Sequence, residues 1–204
     1  MLRRAAALSF GAGVLISIGG TVFLSCENRI AGAVLFSVAL LSICCLGLFL
    51  FTGKVGYLMQ DHSPAAVGEL LVTLAGNLAG TLVCALLIAE AKPAAAEAAR
   101  TLCGPKLALE PLQVLIAAFF CGILMYTAVA IYREKGSPLG ILFCVPVFIL
   151  SGFEHSVADM FYFFCAGQFG PSVWVFLALA VTGNTLGGLL LPAIRLTAGG
   201  ENHG

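Results

Sequence analysis

Charged side chains are scarce in this sequence. Of its 204 residues, ten are lysine or arginine and ten are aspartate or glutamate, which is 10% of the chain, whereas a soluble domain usually carries about 25%. Hydrophobic residues make up 60%, and so few charges cannot solubilise that much apolar surface. A water-soluble globular protein is therefore excluded. The net charge is zero with no basic stripe, so we expect no nucleic-acid partner.

Metal and redox motifs are also missing. The chain contains no HExxH or CxxC pattern, and two of its three histidines, His62 and His203, are predicted in a loop and a tail. Glu154 and His155 are adjacent, and neighbouring side chains on a helix point in different directions. We therefore expect neither a metal nor a cofactor.

Long apolar runs are what the sequence does have. A helix needs about 20 such residues to cross the hydrocarbon core of a lipid bilayer, and six stretches qualify. They are Ala5–Ser25, Ile30–Phe51, Ala65–Ala89, Leu107–Tyr132, Pro138–Ala166 and Pro171–Ile194. The longest polar break between them runs from Glu90 to Lys106. The connections are short, so residues 1–204 are predicted to form a single all-α integral membrane domain with six transmembrane helices.

The distribution of lysine and arginine predicts an orientation. With the N-terminus inside, six basic residues fall on the inner face and four on the outer face, and cytoplasmic loops carry the excess. The inner set is Arg3, Arg4, Lys54, Arg133, Lys135 and Arg195, and the outer set is Arg29, Lys92, Arg100 and Lys106. We expect a cell-membrane protein with both termini in the cytoplasm.

Two glycine-asparagine motifs suggest an internal repeat. Gly76-Asn77-Leu78-Ala79-Gly80 in the third stretch matches Gly183-Asn184-Thr185-Leu186-Gly187 in the sixth, at an offset of 107 residues. Ordinary packing of small residues between helices is the alternative explanation, although the asparagine after the first glycine in both motifs weighs against coincidence. As a repeat, they predict inverted halves of three spans each, approximately 1–90 and 107–195. Binding sites in such proteins lie near the bilayer midplane, where helices are broken.

The second and fifth stretches each contain a polar interruption, consistent with that repeat. Phe51-Thr52-Gly53-Lys54 interrupts the second, and Ser151 to Ser156 interrupts the fifth. We predict that both helices are broken there, with a hydroxyl, Thr52, in one break and an imidazole, His155, in the other. Irregular backbone at this depth occurs only inside protein or beside a wet cavity.

Ionisable groups within the fifth stretch indicate a functional site. Glu154, His155 and Asp159 lie among apolar residues, and such groups are costly inside a membrane. His155 is the strongest candidate because an unperturbed histidine titrates near neutral pH. A structural histidine that bonds across helices fits the same pattern. We expect Glu154 to satisfy backbone N–H groups freed by the break.

Several of these segments resemble the formate/nitrite transporter family. Ser151–Phe161, which reads SGFEHSVADMF, resembles the family's fifth-helix motif, with Asp159 where the family usually has asparagine. Phe51–Gly53 resembles its second-helix break, Val181–Asn184 its sixth helix, and Asn77 its third. The chain departs from the family at Lys54, usually neutral, and at Tyr126, near a usual asparagine.

The resemblance implies an aquaporin-like protomer in a homopentamer, each protomer with its own narrow pore. It places Thr52 opposite His155 between two hydrophobic constrictions. Carried over by position, the pore residues are His155, Thr52, Phe148, Leu40, Leu50 and Phe51. The basic residues near the mouths are Lys106, Arg4 and Lys54, and structural support is expected from Glu154, Asn77 and Asn184.

The expected function is a channel for a small monovalent anion such as formate or nitrite, with proton sharing at His155. A channel for neutral small solutes on the same fold is the alternative, favoured by the wholly apolar run Leu48–Phe51. A membrane enzyme using Glu154, His155 and Asp159 for acid–base chemistry lacks a nucleophile or metal set, so we expect no enzyme.

Overall fold

A computed structural model describes residues 2–199 of the chain. Within that range the protein is all-helical, without strands, and contains nine α-helices and one 3₁₀-helix. The α-helices are α1 (Leu2–Ser25), α2 (Arg29–Cys45), α3 (Phe51–Lys54), α4 (Pro64–Ala91), α5 (Pro93–Leu107), α6 (Pro111–Lys135), α7 (Leu139–Leu150), α8 (Ser156–Cys165) and α9 (Pro171–Gly199). The 3₁₀-helix, Val55–Met59, follows α3 directly.

Four of the helices are long and apolar enough to cross a membrane, namely α1, α4, α6 and α9. They correspond to the first, third, fourth and sixth apolar stretches of the sequence. The second and fifth stretches are each divided between two shorter helices, α2 with α3 and α7 with α8. Non-helical backbone separates the members of each pair.

Glycine in the left-handed region ends the first member of each pair. Gly47 (φ +64°) follows α2, and Gly152 (φ +69°) follows α7. The Leu48 N–H donates to the carbonyl of Ile43 (2.9 Å), and the Phe153 N–H donates to the carbonyl of Phe148 (3.0 Å). This is the Schellman arrangement, which satisfies the last carbonyls of a helix while it turns the chain aside.

Two segments differ from the sequence-based expectation. Phe51–Lys54 was expected to be the interruption, but it forms α3, and the non-helical backbone lies just before it, at 46–50. Glu90–Lys106 was expected to be a polar break, but most of it forms α5. Alanine-rich sequence favours a helix, and Pro93 occupies a first-turn position that tolerates proline.

His203, predicted in a tail, lies outside the described residues.

Close helix contacts bring the long helices within reach of the non-helical segments. A Cβ on Gly13 of α1 would lie 2.5 Å from the carbonyl oxygen of Asn77 on α4, and a Cβ on Gly183 of α9 would lie 2.5 Å from that of Leu115 on α6. Only glycine permits backbones this close. The two asparagines beside these contacts can therefore reach across to neighbouring chain segments.

We predict that Gly152→Ala destabilises the protein by about 1–2 kcal/mol, the cost of a left-handed conformation for an L-residue. The midpoint of thermal unfolding in detergent should fall. Gly104→Ala is the matched control, since neither glycine has a heavy atom within 4 Å of an added Cβ but only Gly152 has positive φ. An equal effect of the two substitutions would contradict the explanation.

Candidate functional site

A threonine and a histidine meet at the centre of the bundle. Thr52 Oγ1 on α3 lies 3.0 Å from Nε2 of His155, the residue that precedes α8. Thr52 is fully buried and His155 is 2% exposed. The structure thus brings together the hydroxyl and the imidazole that the sequence placed in separate interruptions.

Hydrogen bonds fix the tautomer of His155. Its Nδ1 accepts the backbone N–H of Ala158 (3.1 Å) and so caps the first turn of α8. A backbone N–H only donates, so Nδ1 carries no proton. In the neutral imidazole the proton is therefore on Nε2, which faces the oxygen of Thr52.

Asn77 fastens the segment that leads into α3. Its Oδ1 accepts the N–H of Phe51 (2.9 Å), which is one of the unpaired donors at the start of that helix. Its Nδ2 donates to the carbonyls of Phe49 (2.9 Å) and Ser9 (2.8 Å). One buried amide therefore satisfies three backbone groups on three separate parts of the chain.

Asn184 does the same for the segment that leads into α8. Its Oδ1 accepts the N–H of Ser156 (2.8 Å), and its Nδ2 donates to the carbonyls of Glu154 (2.8 Å) and Ala118 (2.8 Å). This pattern matches that of Asn77 group by group. The two asparagines hold the backbone on either side of the Thr52–His155 contact.

A cavity of about 430 Å³, here called the first cavity, lies on the α3 side of this contact. Leu40 and Leu50 line it, as do Lys54 and Arg133. Phe51 is buried and is not among the lining residues. Apart from the two basic residues, the wall is mostly apolar.

A second cavity of about 580 Å³ has no lining residue in common with the first. His155 and Phe148 line it, and their rings stack with centroids 5.4 Å apart. Lys106 and Arg29 also line it. Thr52 lines neither cavity, but its chain neighbour Gly53 lines the first and its hydrogen-bond partner His155 lines the second. The Thr52–His155 contact therefore links the linings of the two cavities.

Lys106, expected to be an electrostatic residue near a mouth, lines the second cavity and contacts two carboxyl groups. Its ammonium contacts Glu154 and lies 2.9 Å from Oδ1 of Asp159. Glu154, expected to bond freed backbone N–H groups with its side chain, pairs with this lysine, and the backbone support comes from Asn184. We call Lys106, Glu154 and Asp159 the lysine cluster.

Lys54 is also paired. Its Nζ lies 2.6 Å from Glu69 on α4 and 3.4 Å from the centre of the Phe49 ring. Arg4, by contrast, is exposed in the first turn of α1 and lines neither cavity. The carboxylate beside Lys54 offsets its charge where it lines the first cavity.

Two arginines that line the cavities were not assigned to the site from the sequence. Arg133 lines the first cavity with its guanidinium 4.1 Å from the Tyr57 ring, and Arg29 lines the second. Both entered the sequence analysis only as charges that set the orientation. The sequence did place both arginines at the ends of predicted spans, which was the feature that could have assigned them to the mouths of the pore.

Among residues 2–199 no group of three or more His, Cys, Asp or Glu side chains is arranged to hold a metal ion.

Comparisons with known proteins agree with this architecture. The model of the formate/nitrite transporter family matches residues 1–197, which confirms the resemblance noted from the sequence. Two similar solved structures are described as a pentameric formate channel with formate bound and an FNT family ion channel. Each has a TM-score of 0.80 and 21% identity, over 97% of this chain and 96% of the other. No curated protein sequence matches significantly.

We predict that Asn184→Ala strongly reduces the yield of folded protein. It leaves three buried backbone groups without a partner, and each such group costs about 1–3 kcal/mol. Thermal unfolding and size-exclusion chromatography in detergent would measure the loss. Thr182→Ala on the same helix is the control, because its hydroxyl bonds only to its own helix. Equal stability of the two variants would contradict the role assigned to Asn184.

Proposed function

The chain belongs to the formate/nitrite transporter family, and on that basis we propose that it forms a channel that moves small monovalent anions, such as formate or nitrite, across the cell membrane. The observation that carries the proposal is the buried Thr52–His155 contact, in which His155 lines one cavity and the residue after Thr52 lines the other. A solute crossing from one cavity to the other would have to pass these two side chains.

The proposed architecture has six crossings in two inverted halves, approximately 1–90 and 107–195. The second crossing comprises α2 and α3, and the fifth comprises α7 and α8. The two halves share the same local features, which supports the repeat. Gly47 and Gly152 follow the first helix of each broken crossing. Asn77 and Asn184 accept a backbone N–H at the start of the second helix of each crossing. Equivalent devices in both halves are typical of inverted repeats.

Each cavity would serve as a vestibule that narrows toward the contact. Leu40 and Leu50, with Phe51 adjacent, would form one hydrophobic constriction, and Phe148 would form the other. All four side chains are buried. Apolar side chains at these points would exclude water and larger ions.

The arginines support attraction of anions to both vestibules. Arg133 lines the first cavity and Arg29 the second, and basic residues in a cleft raise the local concentration of anions. Lys54 and Arg4 would add to the field on the first side. Because Lys54 is close to Glu69, we assign Arg133 the larger share.

At the constriction the problem is desolvation, because a bare charge in an apolar environment is very costly. The Nε2–H of His155 and the hydroxyl of Thr52 would donate hydrogen bonds to the anion in place of water. Nδ1 is occupied by the N–H of Ala158, so His155 can donate a hydrogen bond from Nε2 but cannot readily accept a second proton. A neutral imidazole does not give up its remaining proton, so the proton that neutralises the anion would come from the water of the vestibule. The substrate would then cross as a nearly neutral acid while it is hydrogen-bonded to His155.

Assembly and orientation follow from the same proposal. We propose a homopentamer, as in the formate channel that is described as pentameric. Many exposed side chains on the helices are large and apolar, and lipid or neighbouring protomers would cover them. The first cavity, with Lys54 and Arg133, would face the cytoplasm together with both termini, in line with the positive-inside rule.

A channel for neutral small solutes is the second candidate. The first cavity is lined by Leu48, Phe49 and Leu50, an apolar surface that a neutral solute would cross without the cost of desolvating a charge. Neutral-solute flux would not respond to a membrane potential, and such a channel would admit uncharged molecules in preference to a formate anion of similar size.

We predict saturable uptake of formate and nitrite into proteoliposomes, faster at lower external pH because the substrate crosses with a proton. His155→Asn should reduce the rate by at least about tenfold, since acid–base groups typically contribute 10²–10⁴-fold to proton-transfer steps. Stopped-flow measurement of uptake at several pH values would test this.

His62→Asn is the matched control for that experiment, because His62 is exposed in the connection before α4. It should leave the rate and its pH dependence unchanged. Absence of anion uptake in liposomes that contain correctly assembled protein would refute an anion channel for these substrates. Uptake of neutral solutes in the same liposomes would support the second candidate.

A further inference from the structure

The lysine cluster has an imbalance of charge. Lys106 supplies one ammonium, and Glu154 and Asp159 supply two carboxyl groups, all in contact. Their side chains are 16%, 3% and 2% exposed, respectively. With both carboxyl groups ionised, the cluster would carry one net negative charge in a nearly dry place, and an uncompensated buried charge is strongly unfavourable.

Among residues 2–199 no other charged side chain forms a salt bridge with the cluster. The titratable neighbours of Asp159 are Cys103 on α5, Cys121 on α6 and Tyr162 on α8. None of these side chains can become a cation. His155 lines the same cavity but is held as a neutral imidazole by the Ala158 N–H. Arg29 lines that cavity without forming a salt bridge to the cluster among the described residues.

One oxygen of Asp159 is left over. Oδ1 accepts from Lys106 (2.9 Å), while Oδ2 is buried and has no hydrogen-bond partner among the described residues. A charged oxygen in that condition is the costliest kind of unsatisfied group. Protonation would remove its charge without disturbing the bond between Oδ1 and the lysine.

We propose that the lysine cluster is a proton-binding site that sets the charge of the second cavity. A proton from that cavity forms an O–H bond with one of the two carboxyl groups, and the charge of the cluster changes from minus one to zero. The protonated cluster admits anions, and the deprotonated cluster repels them. This proposal rests on the proposed channel function for its effect on transport, but not for the proton itself.

The site is placed to act on the Thr52–His155 contact. Glu154 precedes His155 in the chain, and the backbone N–H of Asp159 donates to the carbonyl of His155 (2.9 Å). Lys106, Glu154, Asp159 and His155 all line the second cavity. An anion that reaches His155 from this cavity is therefore exposed to the charge of the cluster.

Infrared spectroscopy of the protein in lipid would detect the proton directly, through the C=O stretching band of a protonated carboxyl group. Wild type should show this band at neutral pH and lose it at alkaline pH. Asp159→Asn and Glu154→Gln should each abolish it, because one carboxylate then balances one ammonium. Glu97→Gln is the control, since Glu97 is an exposed partner of Arg100, and it should leave the band unchanged.

Formate uptake by the same preparations tests the consequence. As the pH is raised, the wild-type uptake rate should fall to about one tenth or less of the Asp159→Asn rate. A charge focused in a cleft alters association rates on this scale. Asp159→Asn keeps an oxygen that can accept a hydrogen bond from Lys106. If Asp159→Asn folds poorly, Glu154→Gln tests the same point.

The two readouts separate the two claims. A wild type without the band at neutral pH, or a band that survives both substitutions, would overturn the proton site even if uptake is normal. A parallel decline of wild type and Asp159→Asn with pH would overturn its effect on transport. The expected band without anion uptake in any variant would refute the channel function and leave the proton site supported.

Discussion

The structure depends on one constraint: every backbone N–H and C=O in an apolar bundle needs a hydrogen-bond partner. Two interrupted helices expose such groups, and two buried asparagines satisfy them. Asn77 bonds Phe51, Phe49 and Ser9, and Asn184 repeats the pattern in the second half. Because these amides fix the backbone beside α3 and α8, the side chains of Thr52 and His155 are held against each other.

The pairing of the lysines that line the cavities is the second feature on which the proposed function depends. Lys54 pairs with Glu69, and Lys106 pairs with two carboxyl groups, so neither lysine is a simple positive charge facing the cavities. The central contact offers hydrogen-bond donors instead of a cation, since His155 Nδ1 is occupied by a backbone N–H. In the proposed function this arrangement favours an anion that travels with a proton over one that travels as a bare charge.

The membrane class, the supporting asparagines and the family could be predicted from the sequence, because composition and short motifs determine them. The scarcity of charge indicated a membrane protein, the two glycine-asparagine motifs pointed to the supporting amides, and the SGFEHSVADMF motif pointed to the family. The exact position of the first interruption was missed because Thr52 and Gly53 suggest a break, while the chain turns earlier, at Gly47. The partners of Lys106 lie 48 and 53 residues away in the chain, and only the fold brings them together. Arg29 and Arg133 were missed as cavity residues for the same reason.

The central claim is that His155 presents a protonated Nε2 to the substrate while Nδ1 stays bonded to the backbone. Solid-state NMR of ¹⁵N-histidine-labelled protein in lipid bilayers tests it most directly, with His155→Asn to assign the signals. We expect an unprotonated Nδ1 and a protonated Nε2, with a shift of the Nε2 signal when formate is added. A proton on Nδ1, or an Nε2 signal that does not respond to a saturating concentration of formate, would contradict it.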